Sequence, residues 1–291
     1  MGVDYMNYVL KNANIFDGKN KENIQKNMMV IIEDGKIKDI KQSNDDIGGD
    51  YKVIDLKGQY LLPGLINLHA HLFGTGKPSK ALGGGSGQKL LVKFVNTSLG
   101  KPVIDSLVKK HVTTALNSGV TTIRSSGDFC FSDVRVRDKI NSGEIIGPRL
   151  IVPGPAITCV GGHGDGTFAV SNDDPNTLAE YVKSHKDKGV DYIKICVTGG
   201  VMDAKKNGEP GEVKMTLEQT KAVCDMAHRL GLKVGSHTES SKGIEVALAG
   251  GVDTVEHGSF LDENLVQKFK ENNSAFIVTT SPALPLAKLS P

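Results

Sequence analysis

The chain has no tryptophan, few aromatic residues (5% of 291) and four cysteines. The cysteines stand far apart, at positions 130, 159, 196 and 224, and none forms a C-x-x-C pair. This spacing argues against a paired-cysteine site and predicts reduced, mostly buried thiols. The sequence also shows no signal-peptide pattern and no apolar run long enough to cross a bilayer. We therefore expect a cytoplasmic protein that has no membrane partner.

The chain also lacks an excess of charge of one sign, since it has 35 basic and 33 acidic residues and a net charge of +2. No basic run stands out, so nucleic acid is not expected as a partner. This balance of charge does not exclude a small uncharged or zwitterionic substrate. With 38% hydrophobic and 23% charged residues, the composition is that of an ordinary folded protein. The length suits one barrel-sized domain with a small accessory part.

The first part of the chain, residues 1–62, has the pattern of short strands and tight turns. Asp34-Gly35 lies between two alternating apolar runs and predicts a two-residue hairpin, because both turn positions need a positive φ. This segment is too small to enclose a core of its own. We interpret it as the N-terminal portion of a β-sandwich.

Strands and helices alternate after Pro63-Gly64. The predicted strands are Leu65–His69, Val120–Arg124, Arg149–Pro153, Tyr192–Val197, Leu232–His237, Thr254–His257 and Ala275–Thr279. The predicted helices are Val103–Asn117, Asp133–Asn141, Asn176–Lys188, Leu217–Leu230, Lys242–Ala249 and Glu263–Glu271. Such alternation predicts a parallel sheet. The fold class is therefore α/β, with residues 63–291 forming a (β/α)8-type TIM barrel that is incomplete, with about seven strands and no eighth unit.

Histidines mark the ends of three predicted strands. His69 and His71 are two residues apart at the end of the first barrel strand, so both side chains lie on one face. His237 ends the fifth strand and His257 the sixth. Each alone could be an ordinary half-buried histidine. Because the carboxyl ends of barrel strands meet at one mouth, their joint placement predicts a shared metal site.

Lys194 lies in the middle of the apolar fourth strand. Alternation puts Ile193 and Ile195 on one face and Lys194 on the other, toward the barrel interior. An unpaired ammonium group is costly there, so the lysine should be neutral, paired or chemically altered. A neutral amine can take up carbon dioxide as a carbamate whose two oxygens could bridge two cations. A lysine that extends to solvent at the strand end is the alternative.

Several other residues leave alternatives open. His163, in the glycine-rich loop after the third strand, could contact the substrate or polarise its carbonyl, or it could be a loop residue without a catalytic task. Gly83–Gly87 predicts a flexible connection, with a mobile lid as the alternative. Three arginines, at positions 124, 135 and 137, could bind a carboxylate, although the last two are expected to be solvated on a helix. His111, His185 and His228 fall in helical stretches and are expected outside the site.

Leu62–His71 resembles the opening signature of the amidohydrolase superfamily. Four further segments resemble its branch of Xaa-Pro dipeptidases and imidazolonepropionase-like metallohydrolases; they are Asp133–Asp138, Gly161–Asp165, Tyr192–Ile195 and Val255–Phe260. The resemblance covers nearly the whole chain.

The resemblance implies two divalent metal ions. His69 and His71 would hold one ion, His237 and His257 the other, and carboxylated Lys194 would bridge them. Zinc is the expected metal, with manganese and cobalt as alternatives. A hydroxide between the ions would attack the scissile carbonyl of a peptide-like amide, as in a dipeptidase or carboxypeptidase. The catalytic residues would be Lys194 and His163, and the substrate a dipeptide or another small molecule.

The sequence departs from that pattern after Thr279, where no strand with the expected terminal aspartate follows. Two further hypotheses therefore stay open. One is a cyclic amidohydrolase or deaminase similar to imidazolonepropionase, although those mononuclear enzymes generally lack the bridging lysine. The other is a truncated, catalytically inactive chain that binds metal or a partner. An unpaired sheet edge would also favour a homo-oligomer.

Overall fold

The computed structural model describes residues 7–19, 24–74, 86–201 and 211–280. Contacts divide the chain into two compact units, Met1–Leu65 and Ile66–Pro291. Each unit is described by itself.

The first unit contains one mixed sheet. Its strands are β1 (Tyr8–Ile15), β2 (Gln25–Glu33), β3 (Lys36–Gln42), β4 (Lys52–Asp55) and β5 (Tyr60–Leu61). The strand order is β3-β2-β1-β4, and β5 also pairs with β1. The predicted hairpin between β2 and β3 is confirmed, with φ of 49° at Asp34 and 71° at Gly35.

Apolar residues of this sheet form two separate buried clusters. One cluster contains Ala13, Ile15, Met28 and Val30, and the other contains Val9, Met29 and Ile31. Adjacent residues of β2 thus belong to different clusters, as strand alternation requires. The described residues of the unit show a single sheet, so the β-sandwich stays a prediction.

The second unit alternates strands with helices. The strands are β6 (Leu65–Ala70), β7 (Val120–Ser125), β8 (Arg149–Ile151), β9 (Ala156–Thr158), β10 (Ala169–Ser171), β11 (Ile193–Cys196), β12 (Val234–Thr238), β13 (Thr254–His257) and β14 (Ala275–Ile277). The helices are α1 (Ser86–Val95), α2 (Gly100–Asn117), α3 (Ser132–Asn141), α4 (Pro175–Asp187), α5 (Leu217–Arg229), α6 (Ser241–Gly250) and α7 (Glu263–Glu271). A short 3-10 helix, Phe129–Phe131, precedes α3.

These strands form two sheets, ordered β6-β7-β8 and β10-β9-β11-β12-β13-β14. Every pairing in the larger sheet is parallel. The α/β class with parallel sheets is therefore confirmed. The predicted strand Arg149–Pro153 ends early, because Pro153 and Pro155 cannot donate to a ladder. The chain resumes as β9 in the other sheet.

Local signals in the sequence locate the helix ends well. Thr216 caps α5 in a capping box with Gln219, as predicted. The glycines that follow α2, α3, α4 and α5 all have a positive φ. Helix α1 was not predicted. It begins inside the run Gly83–Gly87, of which Gly83–Gly85 lie outside the described residues. In the part of the chain that the structure describes, no helix has the length and hydropathy to cross a membrane.

The core of the second unit lies between the sheets and the helices. Ile157, Ile193 and Ile195 from the larger sheet are fully buried and belong to one cluster with Leu178 of α4 and Ile244 of α6. Burial of each such side chain contributes roughly 1.5–3 kcal/mol. This packing fixes the strand ends that carry the candidate site.

Two buried aspartates hold the chain at the break between β8 and β9, one through its carboxyl group and the other through its backbone N–H. The backbone N–H of Gly154 donates to Asp133 Oδ2 at 3.1 Å, and the N–H of Asp128 donates to the Gly154 carbonyl at 3.0 Å. Burial raises the pKa of Asp133 to about 6, although the N–H groups of Val134 and Gly154 oppose the rise. Burial and the neighbouring Asp133 raise the pKa of Asp128 well above its usual range.

We expect Asp133→Asn to change the pH dependence of stability. In the wild type, the stability that protonated Asp133 contributes is complete below about pH 4 and is lost as the pH rises through about 6, since the unfolded side chain ionises first. The loss is on the order of 3 kcal/mol. Asparagine cannot ionise, so the variant should gain in stability relative to the wild type between pH 4 and 7. Urea unfolding at several pH values measures this difference.

The matched control is Asp187→Asn, which changes an exposed aspartate at the end of α4. Its stability difference from the wild type should vary little over the same pH range. A constant difference for Asp133→Asn would contradict the expected loss.

Candidate metal centre

The carboxyl ends of four strands bring the predicted site residues together. His69 lies near the end of β6, Lys194 in β11, His237 near the end of β12, and His257 ends β13. The parallel register places Thr238 of β12 beside His257. The side chains therefore meet where the strands lead into their loops.

Four histidine rings form one cluster. The ring centroids of His69 and His257 are 4.6 Å apart, and those of His237 and His257 are also 4.6 Å apart. His71 follows β6, and its ring centroid is 5.5 Å from that of His69. All four histidines predicted to bind metal are thus neighbours.

Hydrogen bonds orient these rings, as His71 and His257 illustrate. His71 donates through Nδ1 to the carbonyl of Gly127 at 3.0 Å, so its Nε2 keeps a lone pair. Nδ1 of His257 lies 2.6 Å from the hydroxyl of Thr279. A ring held through one nitrogen presents the other nitrogen to a metal ion.

Burial keeps the rings neutral. It lowers the pKa of His71 to about 3 and that of His257 to about 2, and it lowers the pKa of His237 well below the usual range. The pKa of His69 is also lowered by burial, although Glu256 opposes the change. Neutral imidazole is the form that binds metal ions. The cluster is therefore ready to accept cations near neutral pH.

Lys194 faces inward and is paired. Its side chain is 1% exposed and makes an ion pair with the buried carboxylate of Glu256. The expected inward orientation is confirmed, and the alternative of a lysine that extends to solvent is wrong. Ile193 and Ile195 pack in the core, as alternation predicted.

Glu256 is the main residue of the site that the sequence interpretation missed. Its carboxylate accepts from Nδ1 of His69 at 2.8 Å and pairs with Arg124 as well as Lys194. Burial alone would raise the pKa of Glu256, but Lys194, His69 and Arg124 lower it well below the usual value. Strand alternation assigns Glu256 and His257 to opposite faces. The φ of 66° at His257 turns the chain so that both reach the cluster.

A second carboxylate lies beside His237. Oε1 of Glu239 is 3.8 Å from Nε2 of His237, and the side chain of Glu239 is partly exposed. Among the described residues, two groups have ligand atoms within 4.8 Å of one another; they are His69 with Glu256 and His257, and His237 with Glu239 and His257. Neutral imidazoles beside carboxylates suit zinc, manganese or cobalt. The residues present therefore fit divalent metal ions.

His163 belongs to this site although it lies in a loop. Its ring stacks on His237 with a centroid distance of 4.1 Å and an angle of 17°, and it contacts Phe168 at 5.3 Å. The loop between β9 and β10 is held by Asp165, which accepts from the N–H of Gly161 at 2.7 Å. His163 is 6% exposed. It thus forms one wall of the histidine cluster.

Gly200 leaves room for the rings of His163 and His237. A Cβ at this position would lie 2.6 Å from Cε1 of His163 and 3.0 Å from Nε2 of His237. We expect Gly200→Ala to displace both rings and to lower the zinc content of reconstituted protein. Gly48→Ala is the control, because a Cβ there meets nothing within 4 Å. Equal zinc content of the two variants by atomic emission would contradict the role of this close approach.

The remaining histidines and two of the arginines lie outside the cluster. His111 bonds to a backbone carbonyl at 2.7 Å, His185 to two carbonyls, and His228 to Asp253. Arg135 and Arg137 were both predicted to be solvated on a helix. Arg137 is only 9% exposed, so the prediction is wrong for this residue. Arg135 instead pairs with Asp105, and Arg137 pairs with Asp138 and Asp191.

The fold and the site together define an α/β protein with a candidate metal centre at the carboxyl ends of its parallel strands. The model of the amidohydrolase family matches residues 60–271. The chain belongs to the amidohydrolase family.

Known proteins resemble the chain in both sequence and fold. Ochratoxinase of Aspergillus niger is 27% identical over 191 residues, which are 57% of this chain and 39% of that enzyme. A structure from Bifidobacterium longum, provisionally assigned as a prolidase, is 35% identical with a TM-score of 0.74 over 93% of this chain and 60% of its own. A Xaa-Pro dipeptidase with bound methionine is 29% identical with a TM-score of 0.77 over 93% of this chain and 66% of its own. The chain thus spans less than two thirds of the length of each.

Proposed function

We propose that this chain carries the metal site of a hydrolase that cleaves a peptide-like C–N bond in a dipeptide or a similar small molecule. The observation that carries the proposal is the meeting of four neutral histidines with a buried lysine at the ends of parallel strands. Membership of the amidohydrolase family supports it.

Two metal ions, most simply zinc, would share this site. His69 and His71 would hold one ion, and His237 and His257 the other, with carboxylated Lys194 between them. When bound, the ions make water a stronger nucleophile at neutral pH and polarise the scissile carbonyl. Glu256 orients His69, and Gly127 orients His71 through its carbonyl. The protein thereby fixes the ligands before the metals bind.

His163 is the candidate for contact with the substrate. Its ring lies against His237, so a carbonyl placed at the histidine cluster would come within reach of it. A histidine there can donate a hydrogen bond to the developing oxyanion. Glu239 is partly exposed beside the same histidine and is a candidate proton acceptor. Arg124 is not available for a substrate carboxylate, because Glu256 and the carbonyl of Leu68 occupy its guanidinium group.

The relatives support a peptide-like substrate. One similar structure is a Xaa-Pro dipeptidase and another is provisionally assigned as a prolidase, while ochratoxinase is a further relative. A cyclic amide is the second candidate, but the buried Lys194 favours a bridged pair of ions. We also propose that the second unit, within residues 63–291, corresponds to seven strands of a TIM barrel, which are β6, β7, the divided strand β8 and β9, β11, β12, β13 and β14. Residues 1–62 would then contribute to a β-sandwich.

A dipeptide-library screen on zinc-reconstituted protein tests the proposal. We expect release of free amino acids from a subset of dipeptides, together with about two zinc ions per chain, as a two-metal site requires. Turnover of cyclic amides but not dipeptides, with one ion per chain, would favour the second candidate. Protein that binds no zinc would overturn both.

A further inference from the structure

Phe168 lies between two histidines of the candidate metal centre. Its ring centroid is 4.9 Å from that of His71 and 5.3 Å from that of His163. The first histidine is a candidate metal ligand, and the second is the candidate for contact with the substrate. Phe168 is buried, and its carbonyl accepts from the backbone N–H of Ala156, the first residue of β9, at 2.8 Å. The ring therefore contacts both histidines from a fixed point of the backbone.

Two glycines lie against the ring of Phe168. A Cβ at Gly127 would be 3.2 Å from Cδ2 of this ring, and a Cβ at Gly164 would be 2.6 Å from its Cε2. The carbonyl of Gly127 also accepts from Nδ1 of His71 at 3.0 Å. Gly164 directly follows His163 in the chain. Phe168 thus packs on the ring of each histidine and on the backbone next to it.

We propose that Phe168 is a positioning residue that keeps the ring of His163 against His237; this inference rests on the proposed function. The ring centroids of these two histidines are 4.1 Å apart. His71 and Gly127 define where the ring of Phe168 lies, and this ring in turn limits where His163 can lie. Because protein interiors have few voids, removal of the phenyl ring would leave space into which His163 can turn. Phe168 itself makes no contact with the substrate.

Displacement of His163 would affect the transition state more than the bound substrate. A hydrogen bond to the developing oxyanion forms only as the carbonyl is attacked, so its loss lowers kcat and leaves KM nearly unchanged. A displacement of about 1 Å at a catalytic group costs up to about a hundredfold in rate. We therefore expect the loss of the Phe168 ring to lower kcat at least about tenfold.

Phe168→Leu removes the ring, and Phe129→Leu is the matched control. Phe129 is buried in the same aromatic cluster, and its ring centroid is 4.6 Å from that of Phe73. The first measurement needs neither metal nor activity, since it is the nuclear Overhauser effect (NOE) between the rings of His163 and His237 in metal-free protein with labelled histidine. The second is steady-state kinetics on the best dipeptide at equal zinc content. Phe168→Leu should weaken the NOE and lower kcat with KM unchanged, and Phe129→Leu should do neither.

Gly164→Ala is a second variant, which displaces the ring of Phe168 without removing it. The φ of 77° at Gly164 also strains any side chain at this position. Gly166→Ala is the control for that strain, because Gly166 has a φ of 68° and a Cβ there meets nothing within 4 Å. Gly164→Ala should weaken the NOE and lower kcat, whereas Gly166→Ala should leave both unchanged. Combined with Phe168→Leu, it should add little, because both substitutions act through one ring.

Each outcome supports or overturns the inference. An NOE of wild-type strength in Phe168→Leu would overturn it, as would an equal loss of kcat in Phe129→Leu. Full additivity of Gly164→Ala and Phe168→Leu would show that Gly164 acts on His163 directly and would overturn it too. Should Phe168→Leu not fold, as judged by circular dichroism, Gly164→Ala still decides, since effects equal to those of Gly166→Ala would contradict the inference. Wild type that hydrolyses no dipeptide would overturn the proposed function, while the NOE would still decide whether Phe168 positions His163.

Discussion

Lys194→Ala should reduce hydrolysis by more than about a thousandfold, since several kcal/mol of metal-dependent stabilisation would be lost. Alanine has no amine to form a carbamate, so nothing would bridge the two ions. The variant should also bind fewer zinc ions. Activity on the best dipeptide and zinc content by atomic emission measure these two effects.

Chemical rescue separates the bridge from a general loss of structure. A short carboxylic acid in excess can occupy the space left by the lysine and should partly restore turnover in Lys194→Ala. Lys233→Ala is the control, because its ammonium pairs with Asp253 while the side chain is 79% exposed. Unchanged turnover in Lys194→Ala would exclude the lysine from the mechanism.

Removal of metal should abolish activity and destabilise the second unit. The histidines come from β6, β12 and β13 and from the turn after β6, so an ion between them links distant parts of the chain. A ligand at a thousand times its Kd stabilises a protein by about 4 kcal/mol. We therefore expect dialysis against a chelator to lower the Tm as well as the activity.

Zinc added back should restore both properties. His71→Asn provides the matched variant, because it removes one ligand and leaves the other three histidines. It should shift the Tm much less on chelation than the wild type does. If the Tm of the wild type does not respond to chelator or zinc, the cluster does not hold a metal ion.

Much of this site could be predicted from sequence because strand periodicity is a strong signal. Alternation alone oriented Lys194 inward, and the placement of His69, His237 and His257 at strand ends predicted that they would meet. Helix ends could also be predicted, because Thr216 favours the start of a helix and glycine favours the position that follows its end.

The features that were missed depend on backbone exceptions and on distant contacts. Glu256 stands next to His257, and only the positive φ at His257 lets both side chains reach one cluster. No local pattern indicates that turn. His163 was predicted as a candidate for contact with the substrate, but the glycines around it do not indicate that its ring packs on His237 of a distant strand. The division of the third strand depends on Pro153 and Pro155, whose effect on sheet order is not local.

The break between β8 and β9 is stabilised by hydrogen bonds to two aspartates. Where β8 stops, carboxylates replace a neighbouring strand: Asp191 exchanges hydrogen bonds with Val152, and Asp133 accepts from Gly154. Along the boundary of the two sheets, aspartate side chains thus accept hydrogen bonds that the backbone of a paired strand would otherwise accept. A single substitution of Asp133 or Asp191 would therefore remove hydrogen bonds at this boundary.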